Sequence, residues 1–242
     1  AFLGGGNLAT ALIGGLLGKG FAASDITVIE INEDSHKSLR RNFGVNCVTA
    51  ATPEALACDV LVLAVKPQQL REACAPLAAM LHEQLIISIA AGIRLSDLSR
   101  WLGGYQRLVR VMPNTPALIG AGVAGLFALP MVSEAERLGA ERILQAVGST
   151  LWVPDEARID AVTAISGSGP AYVFLLIEAM QQAAVELGFT PLQARQLSIE
   201  TVLGSAKLAL GSEETAATLR ERVTSKGGTT EAALRVMADR GV

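Results

Sequence analysis

Three small residues near the start of the chain, Gly4, Gly6 and Ala9, stand in the order G-x-G-x-x-G/A, between an apolar stub and an apolar stretch. In that order the first glycine makes a tight turn, the second lets the backbone approach a pyrophosphate, and the third small residue lets a helix lie close on a strand. The amides of Asn7, Leu8 and Ala9 open the expected helix. They would face the phosphates, with the positive end of the helix dipole behind them. Glu30 closes the next apolar run (Ile-Thr-Val-Ile-Glu, 26–30), 21 residues after Ala9. A carboxylate there accepts hydrogen bonds from the ribose hydroxyls of NAD, although a plain solvated glutamate also suits a strand end. Asn32, Lys37, Arg40 and Arg41 follow and could receive the 2′-phosphate of NADP. Both NAD and NADP therefore stand as the expected cofactor.

Further candidates lie where apolar runs end. Ala64-Val65-Lys66-Pro67 offers backbone, and Lys66 is either a cation beside the dinucleotide or a surface lysine. Ala90-Ala91 ends another run. Asn114, between Pro113 and Pro116, is either a turn residue or a hydrogen-bonding group near a nicotinamide. Ser225-Lys226-Gly227-Gly228-Thr229-Thr230 precedes the final helix. Amides and hydroxyls can converge there on an anion such as a carboxylate, or Thr229 can cap an ordinary interhelical turn. His36 and His82 are the only histidines, each expected on the surface of a polar helix, so no metal site is expected.

The elements that must position these residues alternate. Helices are expected at 7–19, from Asn32 to Gly44, from Pro53, from Pro67 to about Met80, and from the capping box Ser133-Glu134-Ala135-Glu136 to Val147. Strands are expected at 26–30, 45–48, 59–65, 85–90, 108–112, 123–129 and 150–153. That alternation implies an α/β fold, with a parallel sheet, right-handed crossovers and ligands at the strand ends. After Pro154 only helices are expected: 158–165, a break at Ser166–Pro170, 171–187, 191–210, a short one capped by Ser212-Glu213-Glu214, and 231–240. The division is 1–153 for a dinucleotide-binding domain and 154–242 for a helical one. The 171–187 segment is apolar nearly all round and must be buried. A helical unit this short makes only a small core, so a second subunit is expected to complete it.

The net charge of -3 gives no reason to expect nucleic acid or an anionic membrane as partner. No apolar run is expected to reach the roughly 20 residues of a membrane span. Cys47, Cys58 and Cys74 form no C-x-x-C pair, as in a cytoplasmic protein with reduced thiols. The stub before Gly4 is short, so a few further residues are expected to precede Ala1, which leaves a targeting segment open, and a further helix is expected to follow Val242.

With these residues assembled, the chain resembles the pyrroline-5-carboxylate reductase family over essentially its whole length. The resemblance rests on the Gly4–Ala9 turn, Ala-Val-Lys-Pro-Gln at 64–68, Arg-Val-Met-Pro-Asn-Thr-Pro at 110–116, Ser-Gly-Ser-Gly-Pro-Ala-Tyr at 166–172 and the stretch 219–234. It implies an N-terminal Rossmann domain and a C-terminal helical domain that interlocks with a second subunit, larger rings of dimers being allowed. It also implies reduction of 1-pyrroline-5-carboxylate to L-proline by NADPH or NADH. By position, Glu213, Ser225, Gly227, Gly228, Thr229 and Thr230 fall on the family's substrate segments, with Thr230 at the ring nitrogen and Glu213 near the iminium charge. Lys226 stands where the family usually has Pro, and Arg222 where Asn is often seen. A β-hydroxyacid dehydrogenase would need a lysine where Val173 stands, and a non-enzymatic dinucleotide sensor is the remaining alternative.

Overall fold

The computed structural model describes residues 1–241. The glycine turn joins a short strand, β1 (Phe2–Leu3), to helix α1 (Asn7–Gly18). There follow β2 (Thr27–Ile29), α2 (Glu33–Phe43), β3 (Asn46–Val48), β4 (Val60–Leu63), α3 (Pro67–Cys74), β5 (Leu85–Ser88) and α4 (Leu95–Trp101). Then come β6 (Leu108–Met112), β7 (Gly122–Ala128), α5 (Glu134–Leu144) and β8 (Gly148–Trp152). All eight strands form one sheet in the order β3-β2-β1-β4-β5-β6-β7-β8.

Successive side chains on a strand point to opposite faces, and the core divides accordingly. Phe2, Val28, Val62 and Ile87 pack with Leu12 and Ile13 of α1 on one face. Leu3, Ile29, Leu61, Leu63 and Ile86 pack with Leu70 of α3 and Leu98 of α4 on the other. Asn32 caps α2 by accepting a hydrogen bond from the Ser35 amide at 2.9 Å, and Gly44, at φ +68, ends it.

The expected all-parallel sheet needs a correction. β6 and β7 pair antiparallel, Val109 opposite Ala128 and Met112 opposite Gly125. Residues 113–121 are too few for a parallel crossover, which takes about a dozen or more. Thr52-Pro53-Glu54 opens a turn rather than a helix, and α3 stops at Cys74. His82 lies in a bend, and α4 has no counterpart among the expected helices.

Beyond β8 the chain is helical: α6 (Arg158–Val162), a π-helical turn (Thr163–Gly167), α7 (Gly169–Glu186), α8 (Pro191–Leu210), α9 (Ala216–Arg222) and α10 (Thr229–Asp239). Ser166–Pro170 is therefore no break. The Ser168 amide donates to the Thr163 carbonyl at 2.8 Å, and the Thr163 and Ser166 hydroxyls donate back to the carbonyls of Ile159 and Val162. A Cβ on Gly167 would come within 2.6 Å of Met112 Cε, so the glycine lets the widened turn close on β6. Thr215, not Ser212-Glu213-Glu214, caps α9, its hydroxyl accepting from the Thr218 amide at 3.2 Å.

The chain divides into two compact units, Ala1–Ala171 and the residues from Tyr172 on. No residue of α7 is buried, and Tyr172, Phe174, Leu175 and Leu176 stand exposed along it. The helical run Arg158–Glu186 spans 29 residues and has the length and apolarity of a membrane span, contrary to the expectation that no run approaches one.

Candidate active site

β1, β2, β4, β5 and β6 run parallel and end at one edge, where ligands collect in such sheets. The glycine turn sits there. Gly4 has φ +98, a conformation that favours glycine, and a Cβ on it would lie 2.9 Å from Val65 Cγ1 and 3.0 Å from the Ala64 carbonyl oxygen. The end of β4 thus closes directly on the turn. At Gly5 a Cβ would meet Leu39 Cδ1 at 2.5 Å, and its amide donates to Glu30 Oε2 at 2.7 Å. Gly6 differs from both: nothing lies within 4 Å of where its Cβ would be. Its smallness leaves open space in front of α1.

That helix starts without a side-chain cap and without an acid in its first turn. The amides of Asn7, Leu8 and Ala9 have no intrahelical acceptor, so they are free for an anion. Ala9 itself is 1% exposed, packed on the sheet as the motif requires. Beside the turn lies a cavity of about 590 Å³, walled by Gly4–Gly6, Glu30, Ile31 and Ala64–Lys66, with Gln69 and Glu72 of α3 on the far side. The open cradle and the free amides fit a dinucleotide pyrophosphate, and the cavity has the size of a small-molecule site.

Not every expected cofactor residue lines this cavity. Asn32, Pro67, Ala90, Ala91 and Asn114 lie outside its wall, as do Asn7, Leu8 and Ala9. Ala90 is buried and has only backbone to offer. The Asn114 side chain is engaged within the protein: Oδ1 accepts from the Val123 amide at 2.9 Å and Nδ2 donates to the Ser166 carbonyl at 3.2 Å. It ties the end of β6 to β7 and to the π turn.

Sequence reasoning missed Arg110 on β6. Its side chain is 3% exposed and pairs with Glu156 Oε1 and Asp160 Oδ1, each at 3.1 Å. Glu156 Oε1 also accepts from the Leu95 amide at 2.7 Å. No local pattern announces partners this far apart in sequence.

In the helical unit, the turn before α10 differs from its expected form. The Gly227 amide donates to Glu231 Oε2 at 2.5 Å and the Gly228 amide to the Ser225 carbonyl at 3.0 Å. The amides of Thr229, Thr230 and Glu231, at the first positions of α10, have no intrahelical acceptor, and no side chain caps the helix. Ser225, Thr229 and Thr230 are exposed, as is Glu213. Arg222 pairs with Glu214 Oε1 at 2.5 Å, and Glu214 Oε2 is buried without a partner. The arginine is thereby drawn to the loop that carries Glu213. Among the described residues, no cluster of His, Cys, Asp and Glu is arranged to hold a metal ion.

Comparison with known proteins gives consistent neighbours. A family model for pyrroline-5-carboxylate reductase dimerisation matches residues 156–242, and one for coenzyme F420-dependent NADP oxidoreductase matches 1–92. The pyrroline-5-carboxylate reductase of Pseudomonas aeruginosa is 48% identical over 97% of this chain and 86% of its own. The solved structure of the Coxiella burnetii pyrroline-5-carboxylate reductase superposes with a TM-score of 0.93, at 42% identity, covering 99% of this chain and 90% of that one. The Plasmodium falciparum pyrroline carboxylate reductase, solved with NADP bound, gives 0.85 at 28% identity, covering 99% and 89%.

Proposed function

The chain belongs to the pyrroline-5-carboxylate reductase family, and on that premise we propose which of its residues carry the reaction. It is an NAD(P)H-dependent oxidoreductase that reduces 1-pyrroline-5-carboxylate to L-proline, the closing step of proline biosynthesis, and it works as a homodimer.

The assignment begins at the glycine turn. Gly4 and Gly6 shape the turn, the amides of Asn7, Leu8 and Ala9 hold the pyrophosphate, and Glu30 meets the adenosine ribose. Backbone of Ala64–Pro67, Ala90 and Ala91 borders the cofactor along the strand ends, and Asn114 and Asn32 hold the loops beside it. When bound, the nicotinamide supplies a hydride from C4 to the imine carbon. The residues of the chain then have three tasks: to fix the substrate carboxylate, to orient the ring nitrogen and to stabilise the iminium charge.

The observation that carries the substrate assignment is the start of α10. Its Thr229 and Thr230 amides are free while those of Gly227 and Gly228 are engaged, so the two threonines take the substrate carboxylate. The glycines and Ser225 shape the turn behind them. The Thr230 hydroxyl bonds the ring nitrogen, and Glu213 faces the iminium. A cyclic imine is basic enough to carry its own proton near neutral pH, so the protein contributes mainly by placing the reactants.

Residues 1–153 serve as the dinucleotide-binding domain and 154–242 as the dimerisation and substrate domain. Rings of dimers extend the assembly. The protein is cytoplasmic and binds neither nucleic acid nor membrane. Arg158, Asp160, Glu178 and Glu186 interrupt the apolar run that has the length of a span, in keeping with burial against a second subunit.

Thr230→Ala tests the assignment. A lost hydrogen bond to a charged group costs about 1.5–3 kcal/mol, and about 1.4 kcal/mol is tenfold in rate. The variant should lose roughly ten- to a hundredfold in kcat/KM for the imine and keep its cofactor affinity and thermal midpoint. Unchanged kcat/KM, or a loss explained by unfolding alone, removes Thr230 from the site.

A further inference from the structure

We infer that this chain discriminates against the 2′-phosphate and takes NADH in preference to NADPH, through Glu30 and the loop that follows it. The inference rests on the dinucleotide site proposed above and goes beyond it by naming which dinucleotide the site accepts.

Glu30 is not a free strand-end carboxylate. Oε2 accepts from the Gly5 amide at 2.7 Å and Oε1 from the Asn32 amide at 2.7 Å. The carboxylate is therefore held on the wall of the cavity between the glycine turn and the start of α2. Each of its oxygens keeps a lone pair, and a ribose diol brings two hydroxyl donors to meet them. A 2′-phosphate brings only acceptor oxygens and about 1.5 to 2 negative charges at neutral pH. It needs donors or cations, and the Glu30 carboxylate fixed at this position offers neither. The two backbone amides nearest the acid already donate to it.

The charges point the same way. Glu33 and Asp34 add two acids in the first turn of α2. Lys37 is paired with Glu33 at 3.2 Å. Arg40 and Arg41 sit in the last turn of α2, eight and nine residues beyond Asn32, about 12 to 14 Å along the helix axis at about 1.5 Å per residue. Lys66, the residue before α3, lines the same cavity but follows β4, which β1 separates from β2. The exposed residue beside the acid is the apolar Ile31.

Calorimetric titration of the purified protein with NADH and NADPH, and with 5′-AMP and adenosine 2′,5′-bisphosphate, tests this without turnover. The parent should bind NADH at least about tenfold more tightly than NADPH, and 5′-AMP more tightly than the bisphosphate. Glu30→Gln keeps the shape and removes the charge, and should bring the two dinucleotides to within about threefold, mainly by tightening NADPH. Raising the salt to about 0.5 M should narrow the gap in the parent, since Glu33 and Asp34 are exposed to solvent. NADPH bound as tightly as NADH by the parent overturns the inference. So does a ratio that Glu30→Gln leaves unchanged while circular dichroism shows the variant folded. If neither dinucleotide nor either fragment binds, the site itself is wrong and the inference falls with it.

Discussion

Arg110 is the only charged side chain fully buried among the described residues. Its guanidinium holds Glu156 and Asp160 and so fixes the chain after β8 against β6. Removing one partner of a buried pair costs about 3–5 kcal/mol. Asp160 is 63% exposed and is solvated once released, so the lower end applies here. Arg110→Ala should therefore lose about 3 kcal/mol, read as a lower urea midpoint of the folded protein. The chemistry at residue scale was only partly legible in the sequence. Gly4, Gly6, Ala9 and Glu30 announce themselves because their spacing is local and set by one turn and one strand. Arg110 does not, because its partners lie 46 and 50 residues away. The engagement of the Gly227 and Gly228 amides is hidden in the sequence for the opposite reason. A glycine pair suggests open donors, but Glu231, one helical turn on, reaches back to take one of them.

Helix α5 shows how an element carries its own pH dependence. Ser133 Oγ accepts from the Glu136 amide at 3.3 Å, while Glu136 Oε2 accepts from the Ser133 amide at 2.8 Å. Arg107 adds an ion pair with Glu136 Oε1 at 3.1 Å. Burial pushes the Glu136 carboxyl up, but the Ser133 hydrogen bonds and Arg107 outweigh it and hold the group below its ordinary 4.5. A carboxylate depressed in the folded state contributes stability above its unfolded value, and the contribution is lost as pH falls through the folded one. Glu136→Gln should flatten the acid side of a stability profile below about pH 4.5, followed by urea unfolding. Ser133→Ala should cost about 1 kcal/mol at neutral pH. This capping box could be read directly from Ser-Glu-Ala-Glu, because it sits within one turn. The antiparallel β7 could not be read from its own residues. Its direction follows from how few residues precede it, and a strand looks the same in either direction.

For the whole molecule, the decisive feature is what the single chain leaves uncovered. Phe174, Leu175 and Leu176 of α7 and Leu197, Leu203 and Leu208 of α8 are all exposed. Apolar surface of this extent, on helices that the dimerisation family model covers, marks an interface. Sedimentation at micromolar concentration should show a dimer. Phe174→Glu with Leu175→Glu should shift it to monomer and abolish imine reduction while leaving the glycine-turn unit folded by circular dichroism. A stable, active monomer would contradict the homodimer.

The bare face of α7 and α8 also sets a clock on biogenesis. A chain leaving the ribosome carries that face unclad until a second copy reaches it, and the wait is second order in concentration. At an association rate of about 10⁶ M⁻¹s⁻¹ the wait is on the order of a second at micromolar chain and roughly a quarter of an hour at nanomolar. During that interval the same residues are open to chaperones, proteases and unrelated sticky chains. Slow expression is therefore the more hazardous regime for this protein. Yield of soluble enzyme should rise more than in proportion to the number of chains being made at once.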